Sequence, residues 1–201
     1  MKARIAVLVS GGGTNLQALI DAQGSVIKSG EIVLVVSNKA GAYALERARL
    51  AGIPGATVLK SSYDSASDFE QAILDLLDSY KVDMIVLAGF LSVLSASFVS
   101  HYPNRIINIH PSLIPKHCGD GFYGLHVHES VLASGDTETG ATVHFVNEIT
   151  DGGQIIKQKT VPVMPGDTPE ILQKRVMEQA EWILLPEATE LVSSKIIKER
   201  E

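Results

Sequence analysis

The sequence predicts an α/β protein: a mostly parallel central sheet with helices on both faces and an antiparallel C-terminal portion. Three observations carry this expectation. Continuous apolar runs of strand length alternate with segments of helical periodicity through the first half of the chain. Strands apolar along their whole length suit a sheet covered on both faces. Beyond residue 110 the alternation stops, and a long loop, a short helix and two strand-like segments follow before a last helix.

The elements read in order as follows. "IAVLVS" (5–10) is the first strand, and residues 15–28 place Leu16, Leu19 and Ile20 at helical spacing. "IVLVVS" (32–37) is the second strand, and the helix through "YALERARLAG" ends at Gly52 and Pro54. "ATVL" (56–59) is a short third strand. Residues 64–80 form a helix with Phe69, Ile73, Leu76 and Leu77 on one face. "MIVLAG" (84–89) and "RIINIH" (105–110) are the fourth and fifth strands. Such βαβ repetition implies right-handed crossovers and a parallel sheet of Rossmann-like form. Residues 111–126 form a loop rich in Pro, Gly and His, and long loops in compact domains are usually functional. A short helix near 127–133, the strands "GATVHFV" and "GQIIKQKTVPV", and a helix from Thr168 complete the chain. Pro169 sits in that helix's first turn, and Pro186 is expected to interrupt it.

The 201 residues suit a single domain, 1–201, with enough core to fold without disulfides or metal. A net charge of −6 argues against nucleic acid or an anionic membrane as partner. The lone cysteine, Cys118, excludes an internal disulfide and suits a reducing compartment. The basic, apolar start runs straight into a glycine turn, unlike a secretory leader. No apolar stretch reaches the ~20 residues that span a bilayer. A cytoplasmic protein is expected.

"VSGGGTNLQALI" (9–20) joins the first strand to the first helix, at the carboxyl edge where ligands bind parallel sheets. Gly11 and Gly13 fit a dinucleotide fingerprint, but Leu16 takes its third glycine position, and Ser37-Asn38 replaces the ribose-binding acid. Gly-Thr-Asn also replaces the Gly-Lys-Ser/Thr of a P-loop. Two readings stay open. The N–H groups of Gly12, Gly13 and Thr14, with the side chains of Thr14 and Asn15, hold a single phosphate. Alternatively the loop is a tight turn with Thr14 or Asn15 capping the helix.

In "NIHPSLIP", Asn108 and His110 are two residues apart and share a strand face. An amide donor beside a proton-carrying imidazole suits acyl transfer through a tetrahedral oxyanion. Asp151, in "ITDGGQII", is a carboxylate on a turn that can fold back onto His110. Each also has a plain structural reading: a polar strand end, and a good turn. Thr142 and His144 share a face of "GATVHFV" and either line the site or form a polar face. His117, Cys118, His126 and His128 lack the spacing of a helical zinc site, and no paired base marks Cys118 as a nucleophile. No metal is expected.

"SGGGTNLQALI", "SNKAGAYALERA", "DMIVLAGFLSVLS", "NIHPSLIPK", "GATVHFV", "TDGGQIIKQKTVPV" and "PGDTPEIL", in this order, closely resemble the phosphoribosylglycinamide formyltransferase family of purine synthesis. The resemblance implies transfer of a formyl group from 10-formyltetrahydrofolate, as co-substrate, to the amine of glycinamide ribonucleotide, by a monomer or homodimer. It makes 1–100 a phosphate-binding half and 101–201 a catalytic and folate-binding half. It assigns catalysis to Asn108, His110 and Asp151, and substrate phosphate to Gly12, Gly13, Thr14 and Asn15. Ribonucleotide contact falls to Glu181, and the folate walls to Leu91, Ser92, Val93 and Leu94 with Val146, Asn147, Glu148 and Ile149. In the implied mechanism a protonated His110 and Asn108 support the oxyanion, and Asp151 raises the imidazole pKa. Two departures stand out: Ser92 occupies a position that is often basic, and "KHCGDGFYGLHVH" lengthens the loop before the helix. The competing readings are a formyltetrahydrofolate hydrolase, a methionyl-tRNA formyltransferase-like enzyme, and a non-catalytic nucleotide sensor. The last has no need of the Asn108, His110 and Asp151 set.

Overall fold

The structure, a computed structural model, describes residues 1–200. Seven strands form one sheet in the order β3-β2-β1-β4-β5-β6-β7. They are β1 (Ala3–Val9), β2 (Gly30–Ser37), β3 (Gly55–Thr57), β4 (Met84–Leu87), β5 (Ile106–His110), β6 (Glu138–Phe145) and β7 (Ile155–Pro162). Strands β1 to β5 pair in parallel, whereas β5–β6 and β6–β7 are antiparallel. The predicted class and its antiparallel end are both present.

Seven helices cover this sheet: α1 (Thr14–Ala22), α2 (Tyr43–Leu50), α3 (Ala66–Ser79), α4 (Ala96–Ser100), α5 (Leu125–Ser134), α6 (Pro169–Val176) and α7 (Trp182–Lys198). Alternation along β1 splits the core in two. Ile5, Val7 and Val9 pack with Leu16, Leu19, Ala44, Leu172 and Leu185 on one face. Ala6 and Leu8 pack with Phe69, Ile73, Leu77 and Phe98 on the other. Among the described residues, no helix is long and apolar enough to cross a membrane.

Three local expectations are corrected. Helix α1 stops at Ala22, short of residue 28, because Gly24 turns the chain at φ 78° and Ile27 N–H returns to the Ala22 carbonyl. Helix α4 has too few residues to show periodicity in the sequence, yet Ser95 caps it by accepting the Phe98 N–H at 3.1 Å. The last helix is interrupted at a π turn, Met177–Glu181, and not at Pro186, which lies inside α7. The π turn widens the helix one turn upstream of the proline, a place where backbone bonds are already being rearranged.

The sheet order puts the carboxyl ends of β1, β4 and β5 side by side, where strand order reverses around β1 and β4. The β1–α1 glycine loop, the segment after β4 and the end of β5 therefore open on one edge. Because β6 runs antiparallel to β5, Asn108 lies opposite His144 and His110 opposite Thr142.

Candidate active site

His110 and Asp151 meet at the end of β5. Imidazole Nδ1 lies 3.4 Å from carboxylate Oδ2, with both side chains more than nine-tenths buried. Asp151 reaches this position from a turn after β6 at φ 54°, left-handed backbone that Asp tolerates better than most residues. Gly119 N–H donates to Asp151 Oδ2 at 2.9 Å. The other oxygen, Oδ1, is 3.5 Å from both Asn108 Nδ2 and His144 Nε2. Asn108 Nδ2 also lies 3.2 Å from His144 Nε2, while His144 Nδ1 is 2.8 Å from the Phe145 carbonyl. That carbonyl only accepts, so Nδ1 donates to it, and Nε2 faces both the Asn108 amide and Asp151 Oδ1. The three residues marked from the sequence come together, and His144 joins them as a fourth. Its place on the inward face of β6 was the available signal. Thr142, on the same face, instead holds the chain after β5 by donating to the Ser112 carbonyl at 2.7 Å.

Electrostatics in this cluster run against one expectation. Burial lowers the His110 pKa, and it outweighs the upward pull of Asp151 and of the hydrogen bond to the His117 carbonyl. The ring therefore favours its neutral form at neutral pH. For Asp151, burial pushes upward, but the His144 hydrogen bond, the His110 imidazole alongside and the Gly119 N–H together hold it below the usual carboxylate range. Next to them, His128 of α5 is fully buried, has neither ring nitrogen bonded, and is pushed down to about 4, first by burial and then by His110.

A cavity of about 500 Å³ opens against this cluster. Its walls include all eight residues expected around a folate: Leu91, Ser92, Val93 and Leu94 on one side, and Val146, Asn147, Glu148 and Ile149 on the other. Residues 119–124 of the long loop close a further side. Asn15 and Glu181 also line it, joined by a 2.7 Å bond from Asn15 Nδ2 to Glu181 Oε2. Glu181 is pushed up to about 7 by burial, which the Asn15 bond only partly opposes.

Gly12, Gly13 and Thr14 lie on the adjoining loop and not in the cavity wall. Neither Thr14 nor Asn15 caps α1; the cap is Gly13 itself, at φ 73°, whose carbonyl accepts from Gln17 N–H at 2.9 Å. Arg47 of α2, which sequence reasoning passed over, donates to the Gly12 carbonyl at 2.8 Å and brings a positive charge to the loop. Ser92 accepts from Asn38 Nδ2 at 2.8 Å, and Asn38 Oδ1 accepts from Ser10, so the walls after β1 and β4 are tied together. His117 bonds to Ser130 and Asp136, and His126 pairs with Glu129 on the surface. Among the described residues, no three or more His, Cys, Asp or Glu side chains converge as metal ligands do.

An amide donor, an imidazole and a buried carboxylate at the carboxyl edge of a doubly covered sheet form a set chemically able to carry group transfer through a tetrahedral intermediate. The formyl transferase family model matches residues 3–189, and the chain belongs to that family. It is 47% identical to the phosphoribosylglycinamide formyltransferase of Escherichia coli K12 over 175 residues, 87% of this chain and 80% of that protein. It is 45% identical to the bovine trifunctional purine biosynthetic protein adenosine-3 over 98% of this chain, which spans only 19% of that protein. A crystal structure of glycinamide ribonucleotide transformylase 1 from Symbiobacterium toebii superposes with a TM-score of 0.90 at 40% identity, covering 96% of this chain and 89% of that one. The expectation of a phosphoribosylglycinamide formyltransferase stands.

Proposed function

We propose that this chain, acting as one formyltransferase domain, moves the formyl group of 10-formyltetrahydrofolate to the amine of glycinamide ribonucleotide at the Asn108, His110 and Asp151 cluster. The observation that carries this reading is the buried contact of His110 with Asp151 beside Asn108, in the wall of a cavity also lined by residues 91–94 and 146–149. Formyltetrahydrofolate lies between those walls, with its formyl carbon against the cluster. The glycine loop, with Asn15 and Arg47, anchors the ribonucleotide phosphate, and Glu181 meets its sugar. Anchoring the far end brings the amine to the formyl carbon.

The chemistry follows from the protonation states. The neutral amine attacks the formyl carbon, and Asn108 Nδ2 supports the oxygen as it gains negative charge. Asp151, ionised across the neutral range, takes the proton of the new ammonium and passes it to Nδ1 of His110. Because burial keeps that ring neutral beforehand, His110 acquires its charge during the reaction, not before it. The Asp151–His110 pair then returns the proton, through Asp151, to the folate nitrogen as its bond to carbon breaks, leaving a formamide and tetrahydrofolate.

The test mixes the protein with 10-formyltetrahydrofolate with and without glycinamide ribonucleotide. Deformylation only in the presence of the ribonucleotide is expected; deformylation in its absence would mark a hydrolase. Asp151→Asn should lower turnover by at least ~10²-fold, the scale of losing one acid–base element. Near-normal turnover of that variant would overturn the assignment.

A further inference from the structure

The lengthened loop after β5 reaches the catalytic cluster through its backbone. The His117 carbonyl lies 2.9 Å from His110 Nε2, and two residues later Gly119 N–H meets Asp151. One short stretch of loop therefore holds both members of the pair. A carbonyl only accepts, so His110 Nε2 must carry its proton there, leaving Nδ1 as the nitrogen that exchanges a proton with Asp151. His117 sits at φ 50°, left-handed backbone that is unfavourable for a non-glycine residue.

The His117 side chain supplies the hold. Its Nδ1 lies 2.8 Å from Ser130 Oγ on α5, and its Nε2 lies 2.9 Å from Asp136 Oδ2 in the turn before β6. Asp136 also accepts from Lys116 Nζ at 3.0 Å, and the Phe122 ring packs edge-on against the imidazole. Ser130 and Asp136 flank the end of α5, whose Val131 is part of the core. The imidazole thus ties a loop residue to a rigid support.

We propose that His117 is a positioning residue: its imidazole, clamped by Ser130 and Asp136, fixes the carbonyl that sets the proton position and orientation of His110. This rests on the formyl-transfer reading for its kinetic consequence, but not for its structural one. The latch acts on the chemical step and not on binding, because His117 is not among the residues that line the cavity.

Two measurements on the full chain test it. Nitrogen-15 NMR of the histidine rings reports the proton position without any turnover. Wild type should show His110 as the Nε2–H tautomer with slowed solvent exchange, and His117→Ala should show a tautomer mixture in fast exchange. In steady-state assays, His117→Ala and Asp136→Ala should lower kcat about 10-fold to 100-fold, the range of a displaced acid–base group, with KM for both substrates within about twofold. Asp136→Asn, which still accepts from His117, should recover most of the loss, and Lys116→Ala should retain wild-type kcat. A His110 tautomer unchanged by His117→Ala would overturn the proposal, as would unchanged kcat or an Asp136→Asn variant as slow as Asp136→Ala. Inactive wild type with the predicted NMR response would refute the formyl-transfer reading and leave the latch standing.

Discussion

Glu181 shows how burial sets the behaviour of a single residue. It is 6% exposed and accepts from Asn15, a neutral donor, so no positive charge offsets its desolvation. Its pKa rises from an ordinary 4.5 to about 7. For an acid raised in the folded state, stability is fully present below the unfolded value and is lost as pH rises through the folded one. The ionised carboxylate then costs up to ~3 kcal/mol, from the pKa difference at 1.36 kcal/mol per unit. Glu181→Gln keeps the acceptor for Asn15 without the charge. Its urea midpoint should exceed that of wild type at pH 8 and coincide with it at about pH 4, below the unfolded pKa. Asp151 is the opposite case: two histidines and a backbone N–H surround it, and its pKa is lowered despite burial.

At the scale of the element, the glycine loop separates scaffold from binding surface. A Cβ on Gly13 would stand 2.6 Å from Ala44 Cβ and 2.8 Å from Ala44 Cα, at φ 73°. A Cβ on Gly12 meets nothing within 4 Å. Gly13→Ala should therefore destabilise the fold by about 2–4 kcal/mol, combining left-handed strain with a clash against the backbone of α2. Gly12→Ala should change stability by less than ~0.5 kcal/mol, yet weaken ribonucleotide binding about tenfold by crowding the anion-facing backbone. Denaturation and calorimetric titration of the two variants check this; equal loss of stability in both would refute the division. Of the three glycines the sequence singles out, one is required by the packing of α1 on α2. At the other two, Gly11 and Gly12, an added Cβ would meet nothing within 4 Å.

At the scale of the molecule, α7 makes the two halves of the chain interdependent. It packs on α1, β1 and β2 and also on β6 and β7, so neither half buries its sheet face alone. The single tryptophan, Trp182, stands where the π turn passes into α7. If residues 1–200 form one cooperative unit, Trp182 fluorescence and far-UV circular dichroism should follow a single coincident transition in urea. Two separated transitions would show that the halves fold independently.

The parallel half of this sheet is legible in the sequence because its information is local. Each strand is a continuous apolar run, and the helices α1, α2 and α3 repeat their apolar residues over about two to four turns. Where an element is too short for a period, as in α4, or ends on a backbone turn, as α1 does near Gly24, pattern alone misplaces it. Asn108 and His110 can be read as a pair because a strand places residues i and i+2 on one side. Their partner Asp151 was legible only as a carboxylate on a turn able to fold back onto His110, since nothing in a Thr-Asp-Gly-Gly turn says which way it folds.

The amino-acid order by itself determined the layered α/β class, the carboxyl-edge location of the glycine loop, and the residue types able to carry formyl transfer. Tertiary structure decided what those groups are when assembled. Asn15 meets Glu181 across 166 residues, and burial keeps His110 neutral beside a carboxylate. Two backbone groups, the His117 carbonyl and the Gly119 N–H, complete the cluster. The physical reason is the same in each case. Periodicity records which face of an element is apolar, whereas pKa and hydrogen-bond geometry depend on what is brought alongside. Backbone carbonyls and N–H groups are common to nearly every residue, so no sequence pattern marks the two that matter here.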